Sequence, residues 1–230
     1  MKMQNNPTAV FLGDSITMGY GLSDMSKRYT TLFCEEAGFR ENNYGITGTL
    51  MARSGTSTTN GSSFLDRYHA MENGDFIVVF GGTNDYFWSD TPMETDHSEN
   101  VSCFIPAVHH LCAGLIEKYP DKPMVFILPY SQRGIGNFKN GIDGLDHNFH
   151  NSDTPNYTGH TLAEYVHAMK KICCEYGIPV LDLYHDFGID IAHNDADYKT
   201  YTLDGCHPNE AGHARIAEYL YKWWMEHISE

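Results

Sequence analysis

Four short, almost uninterrupted apolar runs constrain this chain most: Thr8–Gly13 (TAVFLG), Asp75–Gly81 (DFIVVFG), Pro123–Pro129 (PMVFILP) and Ile178–Leu183 (IPVLDL). Strands that read as continuous apolar runs, rather than alternating, are buried on both faces, as in a parallel sheet covered on each side. A more polar stretch, Arg40–Tyr44, is a fifth candidate strand. Between the runs lie amphipathic patterns of helical period over Ser26–Ala37, Ser63–Met71, Ser102–Lys118, Leu162–Tyr176 and Glu210–Ile228. Strand followed by helix, repeated about five times, predicts an α/β fold: a three-layer α/β/α sandwich around a parallel five-stranded sheet. Right-handed crossovers place helices on both faces. Ligands then bind beyond the carboxyl ends of the strands, so the loops that follow strands carry the chemistry.

The 230 residues suit one domain spanning 1–230, with no repeat, linker or boundary. Thirty acidic residues against fifteen basic give a net charge of −15, which argues against nucleic acid or an anionic membrane as partner. No apolar stretch reaches the length of a membrane-spanning helix. Residues 1–7 (MKMQNNP) lack the apolar core of a secretory signal, so a cytoplasmic location with reduced cysteines is expected; secretion stays open if a leader is removed. The six cysteines include no CxxC pair. Oligomeric state is not legible.

Four segments carry candidate chemistry. The first run ends in Gly13-Asp14-Ser15, placing a serine at the rim where ligands bind. If a helix starts there, its free N–H groups stabilise an anion, which suits a nucleophile whose attack creates an oxyanion; Ser and Asp are equally at home there as plain helix caps. Asp204 precedes His207 by three residues in a glycine-containing turn (Thr202–Asn209, TLDGCHPN), close enough to orient the imidazole. Pro208 suits the first turn of the next helix, which fixes where His207 points. The alternative is an ordinary Asx-type turn with an exposed histidine. Gly81-Gly82-Thr83-Asn84-Asp85 follows the second run, and the Asn84 amide can donate to an oxyanion. Asn43–Thr49 (NYGITGT) follows the weak strand, and Gly48 can present an unhindered backbone N–H.

The blocks GDSITMGYG, NYGITGT, GGTND and DGCHPNEAGH, in this order between residues 13 and 213, resemble those of the SGNH hydrolases, the GDSL esterase/lipase family. The resemblance implies a flavodoxin-like sandwich and a serine esterase. Ser15 is then the nucleophile, His207 the general base and acid, and Asp204 the residue that orients it. The Ser15 and Gly48 N–H groups and the Asn84 side chain form the oxyanion hole. No metal or organic cofactor is implied. Cys206 stands where the family usually has an aliphatic residue, a small change if the thiol is buried. The GxSxG signature of another hydrolase class is absent.

Rival readings are weaker. The thirteen histidines include His109-His110, His147 with His150, and His207 with His213, but none makes an HExxH or a zinc-spaced Cys/His set, so a metal-dependent deacetylase is disfavoured. Gly134-Ile135-Gly136 lacks the third glycine of a dinucleotide loop. A non-catalytic binding protein of the same fold is disfavoured because Ser15, Asp204 and His207 are all present. Tyr86, Phe87 and Trp88 follow Asn84-Asp85 at a rim position, and with Asp14 they are the candidate substrate-binding residues, with aromatic faces for a sugar ring or a small apolar pocket. Long polar stretches at 85–100 and 131–160 suit a polar alcohol or glycan. The expected substrate is a short-chain, acetyl, ester of a carbohydrate or similar small polar molecule; a thioesterase or lysophospholipase activity is the alternative.

Overall fold

A computed structural model describes residues 7–53, 62–87, 91–94, 99–133, 151–156 and 158–229. All five expected strands form: β1 (Thr8–Gly13), β2 (Arg40–Gly45), β3 (Phe76–Phe80), β4 (Met124–Leu128) and β5 (Val180–Asp182). They are parallel and ordered β2-β1-β3-β4-β5, the flavodoxin-like order. β1, β3 and β4 are buried along their whole length, which is why they read as uninterrupted apolar runs. β2 is only half-buried and lies at one edge, so it tolerates the polar sequence RENNYG.

Alternation along the strands feeds two cores. Val10 and Leu12, with Ile77 and Val79, join one apolar cluster with helices α5 (Phe104–Lys118) and α6 (Leu162–Glu175). Ala9 and Phe11, with Phe76, Val78 and Phe80, face the other way, against α2 (Tyr29–Ala37) and α8 (Glu210–His227). Trp223 and Trp224 belong to this second core; Trp224 packs edge-on to Phe39 at 5.0 Å. They are packing residues, as their place on the last helix suggests.

Several boundaries differ from the sequence reading. The Ser26–Ala37 pattern divides at Arg28, whose extended backbone separates a 3-10 turn at Met25–Lys27 from α2. Ser63–Met71 becomes α3 (Phe64–Arg67) followed by a 3-10 turn at Tyr68–Ala70. Three short helices carry too few turns to show a period: α1 (Ser15–Met18), α4 (Thr83–Phe87) and α7 (Asp195–Tyr201), the last without a buried residue. α1 and α4 start directly beyond the carboxyl ends of β1 and β3, the central strands of the sheet.

Candidate active site

The β1–α1 turn places Ser15. Gly13 is required there, because a Cβ would fall 1.9 Å from Thr17 Oγ1. Asp14 caps α1: its Oδ1 accepts from the Ile16 N–H at 2.9 Å. Ser15 is the first residue of the helix, so its N–H has no intrahelical acceptor. Gly19, at φ 86°, closes the helix after one turn.

His207 reaches Ser15 from the far end of the chain. Its Nε2 lies 3.1 Å from Ser15 Oγ, and its Nδ1 lies 2.7 Å from Asp204 Oδ2. The second Asp204 oxygen accepts from the Cys206 N–H at 2.9 Å and the His207 N–H at 2.7 Å. Partial burial pushes the Asp204 pKa up, but the His207 side chain and these two amides outweigh it and hold the carboxyl below its ordinary value. An ionised Asp204 accepts from Nδ1–H, leaving the Nε2 lone pair to accept from the serine hydroxyl. The turn is pinned from behind. Tyr130 donates its hydroxyl to the Cys206 carbonyl, and the Arg133 N–H donates to the Gly205 carbonyl at 3.1 Å. Cys206 is buried, and burial drives its thiol pKa far up, so it stays an un-ionised apolar filler.

Pro208 is not in the first turn of α8. Asn209 is the cap, accepting from the Gly212 N–H at 3.1 Å, and the helix starts at Glu210. Pro208 instead pairs with Thr202 in an isolated antiparallel bridge that closes the His207 turn. A capping side chain at 209 takes precedence over the proline's preference for the helix start.

Asn84 and Gly48 come to the same rim. Asn84 lies in the first turn of α4, and its Nδ2 donates to the Thr49 carbonyl at 3.1 Å and to Asp14 Oδ2 at 3.4 Å. Gly48 sits at φ 71°, a left-handed conformation suited to glycine. Its turn is held beside Ser15 by β1–β2 pairing, with Gly13 opposite Gly45 and the Ile46 N–H on the Gly13 carbonyl. Among the described residues, neither the Ser15 nor the Gly48 N–H has an acceptor.

Two supporting residues escaped the sequence reading. Arg67 is buried and donates to the Tyr44 carbonyl at 2.6 Å, the Gly13 carbonyl at 3.1 Å and Thr49 Oγ1 at 2.8 Å. It thereby clamps together the segments that carry the Ser15 and Gly48 amides. Burial lowers its pKa to about 10, where it remains protonated at neutral pH. No motif announces it, because a lone arginine after an apolar pair reads as a solvated helix face. Asp85 is the second. It is fully buried and accepts from the Met51 N–H at 2.9 Å and the Ala52 N–H at 3.1 Å, fixing the backbone just past Gly48. Burial raises its pKa to about 7, against the opposing pull of those amides.

The raised Asp85 pKa makes stability depend on pH. Above an ordinary value of 3.8 the folded chain holds a proton that the unfolded chain releases. This contribution is complete below pH 3.8 and is lost as the pH rises through about 7. Asp85→Asn keeps an acceptor oxygen and removes the titration. The Tm difference between wild type and Asp85→Asn should therefore shrink from pH 5 to pH 8 in scanning calorimetry; a constant difference would refute it.

The expected substrate-binding residues fare differently. Asp14 does not face a ligand: it is buried, and its oxygens are engaged by Ile16 and Asn84. Its pKa rises to about 6 through burial, opposed by the Ile16 amide, His207 and Arg67. Tyr86 is not a rim platform. Its ring is buried, and its hydroxyl donates to the Thr154 carbonyl at 2.7 Å, which anchors the 151–156 segment. The turn of α4 carries the Tyr86 ring into the core. Phe87 is half-buried against the same core, and Trp88 lies outside the described residues. The aromatic ring at the site is Tyr20, whose centroid lies 4.5 Å from that of His207.

Among the described residues, the histidine pairs form no common site. The His213 Nδ1 accepts from the Tyr29 N–H at 3.2 Å inside the core, and burial lowers its pKa to about 4. His110 reaches Glu99 at 3.3 Å, while His147, His150 and the Gly134-Ile135-Gly136 run lie outside the described residues. Among the described residues no group of three or more His, Cys, Asp or Glu is arranged to hold a metal, and no helix is long and apolar enough to cross a membrane.

The sheet order and the serine at its central switch point define a three-layer flavodoxin-like α/β/α protein with its reactive groups at the carboxyl edge. Within that class, the chain belongs to the GDSL-like Lipase/Acylhydrolase family, whose sequence model matches residues 11–215. It is thus an esterase/lipase-type hydrolase. Solved structures share the fold. A protein from Lactobacillus plantarum is 29% identical, with coverage of 98% of this chain and 100% of that one and a TM-score of 0.80. A proposed GDSL-like lipase from Bacteroides ovatus ATCC 8483 is 19% identical over 97% of this chain and 100% of that one, TM-score 0.64. A member of the lipolytic G-D-S-L family from Veillonella parvula DSM 2008 is 17% identical over 97% and 98%, TM-score 0.57. These last two share the fold. No curated protein matches the sequence significantly.

Proposed function

We propose that this chain is a serine esterase that removes short acyl groups, acetyl above all, from a carbohydrate or similar polar alcohol. The observation that carries the reading is the unbroken relay Ser15 Oγ–His207 Nε2–His207 Nδ1–Asp204 Oδ2, at 3.1 and 2.7 Å. Ser15 Oγ attacks the ester carbonyl as Nε2 accepts its proton, and the imidazolium is stabilised by the ionised Asp204. The negative charge on the carbonyl oxygen falls to the Ser15 and Gly48 N–H groups and to an Asn84 Nδ2 hydrogen that exchanges its long 3.4 Å bond to Asp14 Oδ2 for the oxyanion. Collapse breaks the C–O bond to the alcohol, whose oxygen takes the proton from Nε2. Water, deprotonated by His207, then releases the acid and restores Ser15.

The polar alcohol rests on the polar character of the 85–100 and 131–160 segments, and the preference for a short acyl group on the absence from the sequence of a long greasy stretch. Two measurements test the proposal. A p-nitrophenyl phosphonate should add one phosphonyl group per chain, mapped by mass spectrometry to the peptide holding Ser15; an adduct elsewhere would refute the nucleophile. Among p-nitrophenyl esters, acetyl should turn over at least tenfold faster than octanoyl or decanoyl. The reverse order would replace the acetyl reading with a thioesterase or lysophospholipase one.

A further inference from the structure

Five large apolar side chains are exposed among the described residues: Tyr20 (45%), Met25 (44%), Ile116, Leu203 (49%) and Met225. Three of them, Tyr20, Met25 and Leu203, lie around the Gly19–Gly21 turn. Gly19 and Gly21, at φ 86° and 82°, turn the backbone on either side of Tyr20 and send its ring outward from the end of α1. A Cβ on Gly21 would fall 2.4 Å from Leu203 Cδ1, and one on Gly19 would fall 3.3 Å from Met25 Sδ. Leu203 therefore rests on Gly21, while Gly19 is covered first by the Arg28 side chain, at 2.5 Å from such a Cβ, with Met25 beyond it. The Tyr20 ring in turn lies against the His207 ring, tilted by 42°. Isolated exposed apolar residues need no explanation, but a cluster beside reactive groups does.

Reaction chemistry says which part of a substrate lies here. The leaving oxygen must come within hydrogen-bond reach of His207 Nε2, about 2.6–3.2 Å, to take its proton. The acyl oxygen must instead point to the Ser15, Gly48 and Asn84 donors. The alcohol, not the acyl chain, is thus the portion brought to the His207 side, where Tyr20 lies. We infer that Tyr20, flanked by Leu203, is the alcohol-side subsite and selects alcohols with a flat apolar face: an aryl ring or the C–H face of a pyranose. The inference rests on the proposed esterase reading and assigns its aromatic platform to Tyr20 instead of Tyr86.

The test holds the acetyl group constant and varies the alcohol. Wild type, Tyr20→Ala, Tyr20→Phe and Met225→Ala are compared on p-nitrophenyl acetate, an acetylated methyl glucoside and ethyl acetate. Tyr20→Ala should lower kcat/KM for the two ring-bearing esters about tenfold more than for ethyl acetate. Tyr20→Phe, which keeps the ring face, should retain the wild-type ratio, and the remote control Met225→Ala should match wild type throughout. A uniform loss across all three esters would mean that Tyr20 only supports His207, and would overturn the subsite. An unchanged ratio in Tyr20→Ala would overturn it equally. Failure of the underlying reading looks different: wild type would turn over no ester, or Ser15→Ala would turn over all three.

Discussion

Ser15→Ala should lower kcat on p-nitrophenyl acetate by about 10⁶, the scale of loss when the nucleophile of a serine triad is removed. The expectation is specific because little else changes. Ser15 is 5% exposed and begins α1, where alanine is a good helix residue. The helix is capped by Asp14, not by the serine, so the turn survives the loss of the hydroxyl. The Ser15 and Gly48 N–H groups and the Asn84 amide also remain, and they should leave a residual rate above that in water. Tm should stay within about 2 °C of wild type. Stopped-flow release of p-nitrophenol, with calorimetry on the same sample, reads both quantities. A folded variant with kcat within tenfold of wild type would show that Ser15 is not the nucleophile.

Asp204→Asn should cost about 10⁴ in kcat, and the atoms say why. Asp204 Oδ1 accepts two backbone amides, from Cys206 and His207, a task the Asn carbonyl oxygen can keep. The Asn NH2 then replaces Oδ2 opposite His207 Nδ1, where the separation is 2.7 Å. Two donors cannot face each other, so Nδ1 becomes the acceptor and the ring proton moves to Nε2. That nitrogen then points a proton at Ser15 Oγ, 3.1 Å away, and can no longer take one. KM should change little, because no substrate contact is removed. The same carboxylate has a linked effect on stability: its folded pKa is lowered, so its contribution is present at neutral pH and is lost as the pH falls through that value. Loss of stability towards acid should therefore be less steep in Asp204→Asn. A variant that keeps more than a tenth of wild-type kcat at pH 7 would refute the orienting role.

Much of the architecture was legible because it is local. Uninterrupted apolar runs marked the strands, and β1, β3 and β4 are buried on both faces as such runs require. The long helices α5, α6 and α8 followed from their apolar periodicity. What escaped was either too short to show a period, like α1 and α4, or decided by distant packing. Tyr86 is the clearest case. Its place after Asn84-Asp85 suggested a rim, but one helical turn carries it into the core, where carbonyls of the 151–156 segment satisfy its hydroxyl. Arg67 binds backbone carbonyls from strands that lie 23 and 54 residues away in sequence, a function without local pattern.

The spacing DxxH shows the division most sharply. It occurs four times, at Asp66–His69, Asp182–His185, Asp190–His193 and Asp204–His207. Three of the four fold into the same dyad, the carboxylate taking both the histidine amide and Nδ1. Asp66 instead serves the capping box of α3 with Ser63. The side chains of His185 and His193 remain more than half exposed, and His193 Nε2 meets Asp153. Turn chemistry within three residues builds an Asp–His pair wherever a helix cap does not claim the carboxylate, so the sequence by itself determined the strands, the long helices and the candidates for a dyad. It does not decide which dyad meets a serine. That depends on a sheet order that puts β1 between β2 and β3 and brings Ser15 to His207 across 192 residues. Only the tertiary structure sets such a contact, because its geometry comes from packing whole layers and not from any neighbouring residue.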